Sequence, residues 1–193
     1  MISVASIHGI GFGGLIAGYA YPLFLNLRVL HGLPTNDRPT PFSTHELYWR
    51  ASVLGPLAWW ALGFDGVMRR AQAGLDELAA QKKPVVLVTH SAGCRIAYDW
   101  FMRRGVPDPV VGWVSCGASQ KILDGLAIPI GFKPAHVPRW VHCYREGDPF
   151  GGPLAAYGAH DRKMPMPLLA EHVDFWKDSE FAHEVMRMIR SVR

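Results

Sequence analysis

The apolar run Val85-Val86-Leu87-Val88 constrains the fold of this chain more than any other segment. Three of its four residues are β-branched, which is typical of a strand, and the lack of polar alternation indicates burial on both faces. Strands of this kind belong to parallel sheets that helices cover on each side. We therefore expect residues 84–89 to form a central strand of an α/β sheet.

Strand-like and helix-like segments alternate along the rest of the chain, and no repeat or linker interrupts them, which indicates a single α/β domain over residues 1–193. A loop rich in Pro, Thr and Asn is predicted over residues 32–43. The predicted strands are 2–7, 46–50, 84–89, 110–115 and 140–144. The predicted helices are 22–30, 65–81 with Asp65 as its cap, 92–104, and a last one capped by Asp178 or Ser179.

The pentapeptide Thr89-His90-Ser91-Ala92-Gly93 lies where the central strand meets the next predicted helix. A sharp turn at this point lifts a serine hydroxyl above the strand ends, and small residues after it let strand and helix approach closely. The simpler interpretation is a serine that caps the helix, a common role for this residue. The usual pattern is G-x-S-x-G, and here Thr89 stands at the first glycine.

The segment His8-Gly9-Ile10-Gly11 follows the first predicted strand. Together with the pentapeptide, it resembles the α/β-hydrolase superfamily, and within it the small bacterial lipases and esterases that lack a lid. The resemblance implies a minimal fold: a mostly parallel sheet of about six strands, helices on both faces and no cap domain. It also implies Ser91 as nucleophile, with the backbone N–H groups of Ile10 and Ala92 as the oxyanion hole. A glycine-rich turn or a phosphate loop is the alternative for residues 8–11.

The chain order in this superfamily is serine, acid, histidine. Asp148 follows the predicted strand 140–144 in a Gly-Asp-Pro turn that resembles the family's acid turn, and it is preferred over Asp124 and Glu146. His172 precedes the last helix, as the family's histidine does. We favour it over His160, in a polar stretch read as a surface loop, and over His183, inside the last helix.

Several aromatic and imidazole side chains are candidates for the wall of an acyl pocket, since small-molecule sites are mostly apolar with a few fixed polar groups. The same side chains are equally explained as core. The expected substrate is a small acyl ester of short to medium chain, and the same triad also serves amides, thioesters, acyl transfer or, without catalysis, binding. The pocket candidates are His8, Phe12, Trp59, Trp60 and Phe150.

Composition narrows the remaining classes. Lys and Arg number 20 against 16 Asp and Glu, without a dense basic run, so nucleic acid is not an expected partner. Cys94, Cys116 and Cys143 form neither a disulfide framework nor a metal-ligand pattern, so buried thiols, no metal and no cofactor are expected. No secretory signal is recognised at the N-terminus, which favours the cytoplasm. The apolar segment 53–64 is too short and too broken to span a membrane but is a candidate for lipid-surface contact.

Overall fold

The computed structural model describes residues 1–7, 20–32, 42–47, 64–105, 108–118, 139–165 and 172–192. These residues form six parallel strands in the order β2-β1-β3-β4-β5-β6, together with four α-helices. The strands are β1 (Ile2–Ile7), β2 (Phe42–Leu47), β3 (Val85–His90), β4 (Val110–Cys116), β5 (Trp140–Arg145) and β6 (His160–Met164). The helices are α1 (Tyr21–Leu30), α2 (Phe64–Ala80), α3 (Ala92–Arg104) and α4 (Ser179–Ser191).

The central strand β3 is buried on both faces, as its sequence predicts. Val85 and Leu87 pack in a core with residues of α2 and α3. Val86 and Val88 point to the other side and pack in a second core with residues of α1 and α4. Two helices therefore cover each face of the sheet, and the ends of the strands are the places where polar functional groups can lie.

The strand order reverses between β1 and β3. The chain starts in the interior of the sheet with β1, goes out to β2, and returns to the opposite side of β1 with β3. Open α/β sheets bind ligands in the crevice outside the carboxyl ends of the strands at such a switch point. In the sequence, the glycine-rich loop follows β1 and Ser91 follows β3.

Two predictions about the outer strands are wrong. The strand predicted at 46–50 is β2, which begins at Phe42, inside the predicted loop, and ends at Leu47. The segment around His160, read as a surface loop, is the strand β6. Both strands lie at edges of the described sheet, where one side is open and charged residues are favoured, so neither has the apolar run that marks a buried strand.

The observed ends of the helices agree more closely with the predicted ones. The helix after Ser91 occupies residues Ala92–Arg104, as predicted, and Asp178 caps α4 by accepting hydrogen bonds from the N–H groups of Glu180 at 2.8 Å and Phe181 at 3.2 Å. The helix α2 begins at Phe64, one residue before the position predicted as its cap. No helix in the described ranges is both long and apolar enough to cross a bilayer.

A buried polar network crosses from β4 to β5. The indole of Trp140 donates to Ser115 Oγ at 2.8 Å, and Ser115 Oγ lies 2.8 Å from His142 Nδ1. Because the indole N–H can only donate, the serine hydroxyl is free to donate onward to Nδ1. His142 Nε2–H then donates to the carbonyls of Ala118 at 3.1 Å and Gly152 at 3.0 Å. The imidazole is thus neutral, with its proton on Nε2.

Burial lowers the pKa of His142 from 6.5 to about 4, since desolvation disfavours the imidazolium. Between pH 6.5 and about 4 the unfolded chain binds a proton at this histidine that the folded chain does not. The stabilisation is complete above pH 6.5 and is lost as the pH falls, by about 3 kcal/mol in total at most. We predict that His142→Gln, which does not titrate, loses less unfolding free energy than the parent over this window.

Urea unfolding at a series of pH values measures this difference, and the other acidic groups titrate in both proteins and cancel. Equal losses in the parent and in His142→Gln would contradict the assignment of a neutral buried imidazole.

Candidate active site

Ser91 occupies a strained turn between β3 and α3. Its backbone angles are φ 53° and ψ −126°, a conformation that L-residues rarely adopt. Its N–H donates to the Cys116 carbonyl at 2.9 Å, which ties the turn to the end of β4. The side chain makes no capping hydrogen bond to α3, so the serine does not act as a helix cap. Strain of this kind clusters at functional sites, where the surrounding packing enforces it.

Thr89, where glycine is usual, is accommodated by the neighbouring strand. Its side chain is fully buried, and its hydroxyl accepts a hydrogen bond from the Trp113 indole at 2.8 Å. The same hydroxyl donates to the Cys94 sulfur at 3.2 Å in the first turn of α3. The threonine therefore links β3, β4 and α3 directly below the strained serine.

The Asp148 carboxylate and the His172 imidazole form a hydrogen-bonded pair. His172 Nδ1 lies 2.8 Å from Oδ2 and 3.0 Å from Oδ1 of Asp148. The Phe150 N–H donates to Asp148 Oδ1 at 2.9 Å, and the aspartate side chain is only 2% exposed. A carboxylate that accepts from Nδ1–H leaves the lone pair on Nε2. His172 Nε2 is buried and has no hydrogen-bond partner among the described residues.

His172 is tied directly to the turn that carries Ser91. It opens a short 3₁₀-helix, His172–Lys177, and its carbonyl accepts a hydrogen bond from His90 Nε2–H at 2.9 Å. The His90 and His172 rings lie 4.6 Å apart between centroids. The imidazole predicted to act as the base therefore lies against the residue that precedes the predicted nucleophile.

Solved structures with a similar fold include the ydeN gene product of B. subtilis. It shares 11% sequence identity with this chain, over 99% of this chain and 100% of that one, at a TM-score of 0.65. ClbQ from the colibactin NRPS/PKS pathway shares 14% identity over 99% and 98% of the two chains, at a TM-score of 0.51. No protein-family model matches the sequence, and no curated protein matches it significantly. The chain has an α/β-hydrolase fold.

Within this α/β-hydrolase fold, Ser91 follows β3 and Asp148 follows β5. His172 precedes α4. Ala92 is the first residue of α3, where helix N–H groups lack intrahelical partners. Phe150 is 55% exposed, and its ring centroid lies 5.1 Å from that of His172. Of the remaining predicted site residues, His8, Ile10, Phe12, Trp59 and Trp60 lie outside the described residues, as does the segment 119–138 that bears on a cap domain.

The alternative candidates do not join this site. Glu146 is exposed and pairs with Lys163 on β6. His160 begins β6 opposite Val141, near the start of β5, and so lies toward the other end of the strands. His183 is exposed on α4 and its Nδ1 lies 2.7 Å from the Ser179 carbonyl. Asp124 lies outside the described residues.

The cysteine thiols are poor competitors of Ser91 as nucleophiles. All three cysteines are free and buried, and burial raises the pKa of Cys94 to about 12 and those of Cys116 and Cys143 well above their usual range. The nucleophilic thiolate is thus suppressed. No group of three or more His, Cys, Asp or Glu side chains in the described ranges is arranged to hold a metal ion.

Two glycines that the sequence interpretation overlooked fit closely around the pair. A Cβ on Gly151 would stand 2.8 Å from Asp148 Oδ2. A Cβ on Gly117, whose φ is +59°, would stand 2.9 Å from His90 Nε2 and 3.0 Å from His172 Cε1. Gly117 lies two residues after the end of a predicted strand, and Gly151 lies two residues after the Gly-Asp-Pro turn. That position is the signal that could have found them.

We predict that Gly117→Ala lowers the free energy of unfolding by more than Gly32→Ala does. Gly32 also has a positive φ, +79°, but no described atom lies within 4 Å of its Cβ position. Positive-φ strain costs about 1 kcal/mol in both variants. Crowding against the two imidazoles adds on the order of 1–2 kcal/mol in Gly117→Ala alone.

Urea denaturation measures both values against the parent protein. Equal destabilisation by the two substitutions would show that the imidazoles do not pack against Gly117 in solution.

Proposed function

We propose that this protein is a serine hydrolase that cleaves carboxylic esters of short to medium acyl chain. The observation that carries the proposal is the Asp148–His172 hydrogen bond beside the strained Ser91 turn. This hydrogen bond supports a reaction in which Nε2 of His172 takes a proton, because the imidazole lies against the turn that presents the serine hydroxyl. The site lies at the carboxyl ends of the strands, where α/β sheets bind their ligands.

Each side chain has a defined role in the proposed reaction. His172 Nε2 removes the Ser91 proton as the hydroxyl attacks the acyl carbonyl, and returns that proton to the leaving alcohol. Asp148 keeps the Nδ1–H tautomer and stabilises the imidazolium. Water, deprotonated in turn by His172, then attacks the acyl-enzyme; as the bond to Ser91 Oγ breaks and the acid leaves, His172 returns the proton to the serine oxygen. Hydrogen bonds of this kind are frequently long in unliganded enzymes and tighten on substrate, which fits an Nε2 without a described partner.

The proposed oxyanion donors are the backbone N–H groups of Ala92 and Ile10. Ala92 begins α3, so its N–H lies at the positive end of the helix dipole. Ile10 is proposed from its sequence position after His8-Gly9. Removing one donor of an oxyanion hole costs on the order of 100- to 1,000-fold in rate. Every step uses side chains, backbone and water, so the proposed reaction requires no cofactor.

Phe150 is the described residue best placed to contact substrate. More than half of it is exposed, and it lies against the His172 ring beside the reacting groups. A half-exposed aromatic ring in this position suits an open apolar binding site. We propose His8, Phe12, Trp59 and Trp60 as further pocket residues from the sequence.

We predict that Ser91→Ala lowers turnover of p-nitrophenyl acetate and butyrate by at least about 1,000-fold, because the triad serine supplies the nucleophile. The same variant should lose labelling by a fluorophosphonate probe. Ser179→Ala is the matched control: Ser179 is exposed at the first turn of α4, and its loss should change neither measurement.

The parent's substrate range separates the proposal from its alternatives. Turnover of esters well above that of thioesters and anilides supports the ester hydrolase, and the reverse order assigns the triad to another acyl group. A folded parent protein that neither turns over any acyl substrate nor is labelled at Ser91 would overturn catalysis and leave a binding protein.

We predict that Gly151→Ala lowers kcat on the order of 10- to 100-fold with little change in KM. The added methyl group would stand within 3.1 Å of three Asp148 side-chain atoms, and the carboxylate must move away from it. Displacements of about 1 Å at a catalytic group are large enough for such losses. Gly74→Ala, a glycine-to-alanine change on α2 with ordinary contact distance, is the control. Unchanged kcat in Gly151→Ala would argue against Asp148 as the carboxylate of the triad.

A further inference from the structure

His142 joins the two loops that flank the Asp148–His172 pair. Its Nε2–H is shared between the carbonyls of Ala118, after β4, and Gly152, in the segment after the Asp148 turn. The Gly152 N–H also donates to the Ala118 carbonyl, at 3.0 Å. Three hydrogen-bond contacts thus converge on one buried point between the two loops.

Each loop contacts one member of the pair through the residue next to this point. Gly117 precedes Ala118 and lies against the His172 ring: a Cβ at Gly117 would stand 3.0 Å from Cε1. Gly151 precedes Gly152 and lies against the carboxylate: a Cβ at Gly151 would stand 2.8 Å from Asp148 Oδ2. Neither gap has room for a Cβ, so both glycines pack closely on the pair, and a shift of either loop toward it changes the packing of the carboxylate or of the imidazole.

We propose that His142 is a positioning residue for the Asp148–His172 pair. By fixing the Ala118 and Gly152 carbonyls relative to each other, it fixes the distance between the backbone behind the imidazole and the backbone behind the carboxylate. The geometric part of this inference stands on contacts alone. Its consequence for turnover rests on the proposed function.

The neighbouring side chains select histidine for this task. The position needs a donor that reaches two carbonyls on one side and an acceptor for Ser115 on the other. A neutral imidazole has both, on opposite edges of a rigid ring. The Ala118 and Gly152 carbonyls can only accept, which selects the Nε2–H tautomer, and Ser115 Oγ, which accepts from the Trp140 indole, can donate to Nδ1. An apolar residue of similar size would leave buried polar groups without partners.

The matched pair His142→Gln and His142→Asn tests the proposal. Both introduce a neutral amide, but only glutamine is long enough to place its N–H₂ near the position of Nε2 and reach the loop carbonyls. The spectroscopic readout is the downfield proton resonance of His172 Nδ1–H, assigned by its disappearance in Asp148→Asn. A residue that only supported folding would lower stability in both variants without acting on this proton.

We predict that His142→Gln retains the resonance and a near-parental kcat. His142→Asn should lose or shift the resonance and lower kcat for p-nitrophenyl butyrate on the order of 100-fold, with KM changed by less than about twofold. Circular dichroism establishes that each variant is folded. Should His142→Asn not fold, Ser115→Ala is measured instead: it keeps the imidazole but releases its orientation, and it should weaken the same resonance.

An unchanged resonance in folded His142→Asn, or in folded Ser115→Ala where the first does not fold, overturns the positioning role. A parent protein that turns over no ester, while the resonance is present and responds to His142→Asn as predicted, overturns the proposed function and supports the positioning of the pair. The two inferences therefore fail on different measurements.

Discussion

The hydrogen bond between the Asp148 carboxylate and the His172 imidazole joins two segments that are 24 residues apart in sequence. The strand β6 and its connections lie between them, so neither segment can place its partner by local geometry. Their meeting depends on the parallel sheet, which brings the carboxyl end of β5 next to that of β4. It also depends on α4, which packs against the face of the sheet that α1 covers. The Asp148 carboxylate can be buried because the turn after β5 supplies a backbone donor, the Phe150 N–H.

Arg145 gives the two segments a common anchor. It is the last residue of β5, three residues before Asp148, and only 2% of its surface is exposed. Its guanidinium pairs with Asp178 and lies 4.2 Å above the Phe175 ring, and both partners belong to the segment that begins with His172. Asp178 is also the cap of α4, so the same carboxylate sets where that helix starts. A buried charge of this kind needs a close partner, and the pairing also fixes the His172 segment on β5.

The parts of the fold and site that the sequence predicts are those in which one physical requirement dominates. The strand β3 could be predicted because burial on both faces requires an apolar run. The turn at Ser91 could be predicted because it requires small residues after the serine. The strand β2 was misplaced and β6 was missed because Phe42–Leu47 and His160–Met164 are held by backbone hydrogen bonds on one side and need no apolar pattern. Gly117 and Gly151 were overlooked because their importance lies in side chains that approach from distant segments. No periodicity along the chain encodes such contacts.

The strained turn at Ser91 requires rigidity from below, and Thr89 and His90 supply it in two directions. Thr89 forms hydrogen bonds with Trp113 and Cys94, so the strand before the turn is tied to both β4 and α3. His90 points toward the short 3₁₀-helix and donates to the His172 carbonyl. A glycine in place of Thr89 would permit the same backbone but would leave the Trp113 indole without its acceptor in a buried site. The departure from the usual pentapeptide is therefore matched by a tryptophan on the adjacent strand, and the two residues are best understood as one unit that holds the serine in its unfavourable conformation.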